Sequence, residues 1–114
     1  MKVSDARQQA YKNSLPQIWK YALEVQDTNH IQMPIGAKVL TVQMQNGVPT
    51  VWAMVNPHQL PETHVFSMIG TGQTFNPEFA GRYIGTVQLQ GVNEGIVVHV
   101  FDWNTMGDGA TQEA

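Results

Sequence analysis

The dipeptide Asn46-Gly47, in the middle of "AKVLTVQMQNGVPTVWAMVN" (37–56), limits what this chain can fold into more than any other feature. A two-residue type I′ turn requires positive φ at both central positions, and Asn-Gly accepts that with little strain. The runs on either side alternate apolar and polar residues, which predicts two antiparallel strands joined at 46 and 47. Counting outward from the turn, Gln45 faces Val48, Gln43 faces Thr50, Val42 faces Val51, Thr41 faces Trp52 and Val39 faces Met54. Leu40, Val42, Met44, Val51, Ala53 and Val55 then form a continuous apolar side, which is the expected core. The opposite side carries Val39, Thr41, Gln43, Gln45, Thr50, Trp52 and Met54. A solvated sheet face more typically carries Lys and Glu, so this side is expected to meet another strand layer, a second subunit or a ligand, or to sit under a loop.

The period of two extends beyond the hairpin. "IWKYALEV" (18–25) sets Trp19, Tyr21, Leu23 and Val25 against Lys20 and Glu24, the pattern of a half-buried strand. A connection with prolines at both sides, "PHQLPE" (57–62), precedes a strand in "THVFSMIG". "NPEFAG" (76–81) predicts a single helical turn, with Asn76 as cap, Pro77 in the first turn and Gly81 at the exit. "RYIGTVQLQ" and "EGIVVHVFDW" form a closing pair across the Gly91–Gly95 loop. Five to six antiparallel strands and no long helix predict an all-β or β-rich fold: a small sheet, sandwich or open barrel over 17–103. Residues 1–16 read as a short helix or arm ended by Pro16, and 104–114 as a disordered tail.

Composition excludes several classes of function. At 114 residues the chain supports one core. The formal net charge is −3, from six basic and nine acidic residues without runs, so the basic stripe of a DNA or RNA binder is missing. Charged residues make up only 13%, against about 25% in ordinary domains, which fits either a homo-oligomer or a polar uncharged surface. The absence of cysteine removes thiolate chemistry and disulfides and agrees with a cytoplasmic setting. No apolar run approaches the ~20 residues that cross a bilayer, and no signal segment is seen, so a soluble protein without a membrane partner is expected.

The chemistry-bearing residues cluster late in the chain. Gly70-Thr71-Gly72 resembles a fragment of a dinucleotide fingerprint, but the third glycine would fall at Phe75 and Pro77 stands where the helix should start. What remains is either plain turn geometry or a bend whose amides and Thr71 hydroxyl hold an anion. Arg82 follows this loop and could pair with a phosphate or carboxylate, or with Glu78 or Asp102. His99 shares a strand face with Val97, Phe101 and Trp103, as a core histidine or as a hydrogen-bonding edge for a ring. Trp52, Tyr83, Phe101 and Trp103 could supply stacking faces. His30, His58, His64 and His99 lack paired metal-ligand spacing, with His58, Glu62 and His64 expected in a loop, so neither a metal nor another cofactor is expected. His99 and Asp102, three apart on a strand, point to opposite faces, and no nucleophile elbow or Walker loop is present; a non-enzymatic protein is the expectation.

The M-P-x-G-A-K at 33–38, the Q-x-G-x-x-x-x-W-A-x-V at 45–55, the G-T-G and the closing H-V-F at 99–101 resemble a family of short phage and prophage proteins of unknown function. The resemblance spans about 18–103 and implies a viral origin and a bacterial host cytoplasm, not a chemistry. Together these readings lead to one expectation and its alternatives. The expectation is a homo-oligomeric counter-defence protein that sequesters a small, anionic, nucleotide-like signal. Gly70, Thr71, Gly72 and Arg82 would hold phosphate, and Trp52, Tyr83 or His99 the base. The alternatives are an inhibitor that binds a host protein through the Trp52 and Met54 side, and an accessory structural phage component.

Overall fold

A computed structural model of the chain describes residues 15–104. The arm and tail expected at the ends lie outside the described residues, apart from residues 15, 16 and 104. Seven strands are formed: β1 (Gln17–Ala22), β2 (Thr28–Pro34), β3 (Lys38–Gln45), β4 (Val48–Val55), β5 (Pro61–Gly70), β6 (Arg82–Gln88) and β7 (Val97–Asp102). They build two antiparallel sheets, β1-β4-β3 and β2-β5-β7-β6. The all-β reading is therefore correct. No helix among the described residues is long and apolar enough to cross a membrane.

The hairpin turns where its sequence requires, with Asn46 at φ 51° and Gly47 at φ 81°. Its register agrees with the count from Gln45↔Val48 to Thr41↔Trp52 and then shifts. A bulge at Leu40 brings Val39 opposite Ala53, not Met54. Val39 is thereby buried in the core, and Leu40, expected there, is 43% exposed. The physical cause is the second sheet, whose strand β6 crosses β3 at this point. A Cβ on Gly85 would lie 2.7 Å from Val42 Cγ1, so the approach is closer than a side chain permits. The Arg82 guanidinium donates to the Val39 carbonyl at 3.1 Å, meeting main chain beside the bulge, where ladder pairing is interrupted.

β1 ends at Ala22, short of the Val25 expected in it. Trp19, Tyr21 and Leu23 do lie on the core side of β4, and the Leu23 amide extends the pairing to the Pro49 carbonyl at 2.9 Å. β2 is the strand that the sequence pattern did not indicate. One of its inward residues is polar: Asn29 is 2% exposed, and its amide accepts from Glu24 N at 2.8 Å and donates to Glu24 O at 3.0 Å. A buried amide satisfied on both sides is stable there and breaks the apolar alternation by which a strand is read.

The core lies between the sheets and includes Met33, Val42, Val51, Ala53, Val55, Phe66, Met68, Val87 and Val100. The one-turn helix is present at Pro77–Phe79, with Asn76 Oδ1 accepting from Glu78 N. His64, within the strand expected in "THVFSMIG", is on β5 and faces inward with 4% exposure, and Glu62, expected in the loop before it, is on β5 too. Asn104, expected to begin a tail, is tied to β5: its side chain accepts from Val65 N at 2.7 Å and donates to Thr63 O at 3.0 Å.

Candidate functional site

Strand alternation places Ile69, His99 and Thr86 in one row across the outer face of the second sheet, with Phe101 and Tyr83 in the adjoining row. The chain leaving β5 reverses over this face. Gly72 sits at φ 88°, and Gln73 N donates to Gly70 O at 3.0 Å, closing a tight turn. Beside it opens a cleft of about 280 Å³, lined by Gly70, Thr71, Gly72 and Gln73 of the bend together with Ile69, Phe75, Tyr83, His99 and Phe101. Three aromatic rings border it. Phe101 lies 5.7 Å from Phe75, tilted, and 5.7 Å from Tyr83 in an edge-on arrangement.

One chain of hydrogen bonds runs along the polar side of this cleft. Thr71 Oγ1 is 2.8 Å from His99 Nε2, Thr86 Oγ1 is 2.8 Å from His99 Nδ1, and the Tyr83 hydroxyl is 2.6 Å from Thr86 Oγ1. Both imidazole nitrogens are thus engaged by hydroxyls, each of which can donate or accept. His99 is half-buried, while Thr71 and Tyr83 at the two ends are exposed. The arrangement offers flat apolar walls and one adjustable polar edge.

Five of the seven residues predicted to hold a ligand come together here: Gly70, Thr71, Gly72, Tyr83 and His99. Arg82 and Trp52 do not line this cleft. The Arg82 side chain reaches toward β3, and Trp52 belongs to the outward side of the first sheet, in register with Lys20 and Thr41. The bend uses most of its own amides. Gly70 N donates to the Gln73 side chain at 3.0 Å, Thr71 N to Val97 O at 3.2 Å, and Gln73 N to Gly70 O. Phe75, Gln73 and Thr86 are site residues that sequence reasoning missed. Thr86 had no register signal: counting back from the Gly91–Gly95 loop sets Val87 opposite His99, one residue off the observed Thr86↔His99 pair.

A second titratable group lies inside the core. His64 Nε2 is 3.7 Å from Asp102 Oδ1, both side chains are buried, and Asp102 Oδ1 also accepts from Asn104 N at 3.1 Å. His99 and Asp102 do point to opposite faces, but Asp102 meets a histidine from another strand instead. The His64 ring stacks on Phe66 at 5.7 Å, and its Nδ1 has no hydrogen-bond partner among the described residues. On the inner side of the first sheet, the buried Tyr21 hydroxyl likewise has none, and burial raises it above its ordinary value of 10.0. No group of three or more metal-ligating side chains occurs among the described residues.

The chain belongs to the family described as a domain of unknown function, DUF7352, which matches residues 16–108. No curated protein and no solved structure matches it significantly.

Proposed function

We propose that this is a non-enzymatic binding protein whose cleft holds a small heteroaromatic molecule of the nucleotide-like class, and holds it by its ring. The observation that carries this reading is the convergence of Phe75, Tyr83 and Phe101 with the Thr71–His99–Thr86–Tyr83 hydrogen-bond chain on one concave surface. Aromatic walls with a few convergent polar groups are the usual make-up of a small-molecule pocket. The volume, about 280 Å³, falls just below the roughly 300–1,000 Å³ typical of such sites, which suits a single ring system. The cleft lining contains no Lys or Arg. The part of a nucleotide addressed is therefore the base, with the phosphate directed to solvent. In a phage setting, suggested by the resemblance of the sequence motifs, such a protein would sequester a nucleotide-derived signal without consuming it.

Thermal melting tests this with adenosine, adenosine 5′-phosphate and ribose 5-phosphate. The first two should raise Tm alike, because occupancy at a hundred times Kd stabilises by about 2.7 kcal/mol, and ribose 5-phosphate should leave Tm unchanged. A second reading has its own observation. The outward side of the first sheet carries Ile18, 62% exposed, beside Met54, 36% exposed, and half-buried Trp52, which suits docking of a host protein or a second copy. Silence toward all three compounds, together with loss of self-association or partner binding in Ile18→Asp, would favour it.

A further inference from the structure

We infer that the cleft reads its ligand through a reversible hydrogen-bond chain, so that it accepts a heterocycle presenting either a donor or an acceptor toward Thr71. This rests on the reading of the cleft as a site for an aromatic ring. It adds which edge chemistry that ring carries.

The inference follows from the four groups in order. Neutral imidazole donates from one nitrogen and accepts at the other. In one arrangement His99 Nδ1–H donates to Thr86 Oγ1, the Thr86 hydroxyl donates to the Tyr83 oxygen, and Thr71 donates to Nε2. The free valence of Thr71 is then its oxygen lone pair, ready to accept. In the other arrangement every bond reverses: Tyr83 donates to Thr86, Thr86 donates to Nδ1, and Nε2–H donates to Thr71. The Thr71 hydrogen is then free to donate, and its second lone pair can still accept. The same heavy-atom distances of 2.8, 2.8 and 2.6 Å serve both arrangements. No bond is lost in passing between them.

The far end of the chain completes the device. Tyr83 is 53% exposed, so water can meet its hydroxyl whether it must donate or accept. Neither arrangement leaves a polar group stranded; an accepting ligand selects the second, whereas a donating ligand meets a Thr71 lone pair in either. A fixed donor, such as a backbone amide, would instead admit acceptors only.

The probes are three bicyclic aromatics of similar size: indole, which only donates in the ring plane, quinoline, which only accepts, and naphthalene, which does neither. Binding to the intact protein is followed by NMR titration, with the protonation of the His99 ring nitrogens read from long-range proton–nitrogen correlations. Quinoline should drive His99 to the form protonated at Nε2 and bare at Nδ1, whereas indole, accepted by Thr71 in either arrangement, should leave the balance of the free protein. Both should bind about tenfold more tightly than naphthalene, the value of one net hydrogen bond. Quinoline bound with His99 Nε2 bare overturns the inference. Equal affinity for all three also overturns it, while leaving the aromatic cleft standing. Binding of none of the three removes the cleft reading itself, and the inference with it.

Discussion

The Asn46–Gly47 turn and the Gly70–Gln73 bend use the same device, a glycine held at positive φ, at 81° in one and 88° in the other. Their surroundings differ. The first closes a hairpin through backbone geometry alone, between two strands that pair with each other. The second leans on β7: Thr71 N donates to Val97 O, and the Thr71 hydroxyl meets His99. A turn's residues determine how the chain reverses. What it can bind depends on the strand it reverses over.

The largest effect is expected where the two regions are joined, at Gly85. Alanine there would place its Cβ 2.7 Å from Val42 Cγ1, between the hairpin strand β3 and the cleft strand β6. We expect a loss of about 1–3 kcal/mol in urea unfolding, the range for overpacking a filled core. A loss no greater than that of a turn glycine would show that the sheets are less tightly joined than the geometry requires. The next effect sharpens the comparison itself. A Cβ on Gly72 meets nothing within 4 Å and one on Gly47 only an ordinary 3.6 Å contact with Gln90 Oε1, so each alanine should cost about 1 kcal/mol for the left-handed backbone. Only Gly72→Ala should also weaken binding of adenosine. Equal binding by the two variants would break the distinction.

A smaller change in stability, under about 1 kcal/mol, is expected for Thr71→Val, because the lost hydrogen bond lies at an exposed position. Its adenosine affinity should nevertheless fall roughly fivefold to tenfold, as measured by calorimetric titration. The smallest effect belongs to Tyr21→Phe, which removes a buried hydroxyl without a partner and should be neutral or slightly stabilising. It should also change the alkaline limb. Burial raises the Tyr21 value above 10.0, so as pH climbs past 10 the unfolded chain loses this proton before the folded one does. Stability then falls with rising pH until the folded value is passed, and is unaffected by this group below the unfolded value. Urea midpoints at pH 9 and pH 11 should differ less in Tyr21→Phe than in the parent protein.

The hairpin and its register were legible because turn chemistry is local and counting from it needs no other information. The bulge at Leu40 was not, because its cause lies in Arg82 and Gly85, more than 40 residues away in the chain. β2 was hidden by Asn29, whose burial depends on both backbone groups of Glu24. Within the site, Thr71 could be named from the G-T-G bend, and His99 and Tyr83 from residue type on strands with aromatic neighbours. Phe75 could not, since nothing local shows that the segment after Gly72 folds back toward Phe101. Arg82 is near the bend in sequence, and its guanidinium donates to the Val39 carbonyl of the neighbouring sheet, a contact no local pattern announces.

Amide-resolved NMR titration with adenosine tests the cleft most directly. Binding there should shift residues 70–75 together with Tyr83, Thr86, His99 and Phe101, leaving Ile18, Trp52 and Met54 where they were. Shifts gathered instead on those three residues, or none anywhere at millimolar adenosine, would contradict the assignment.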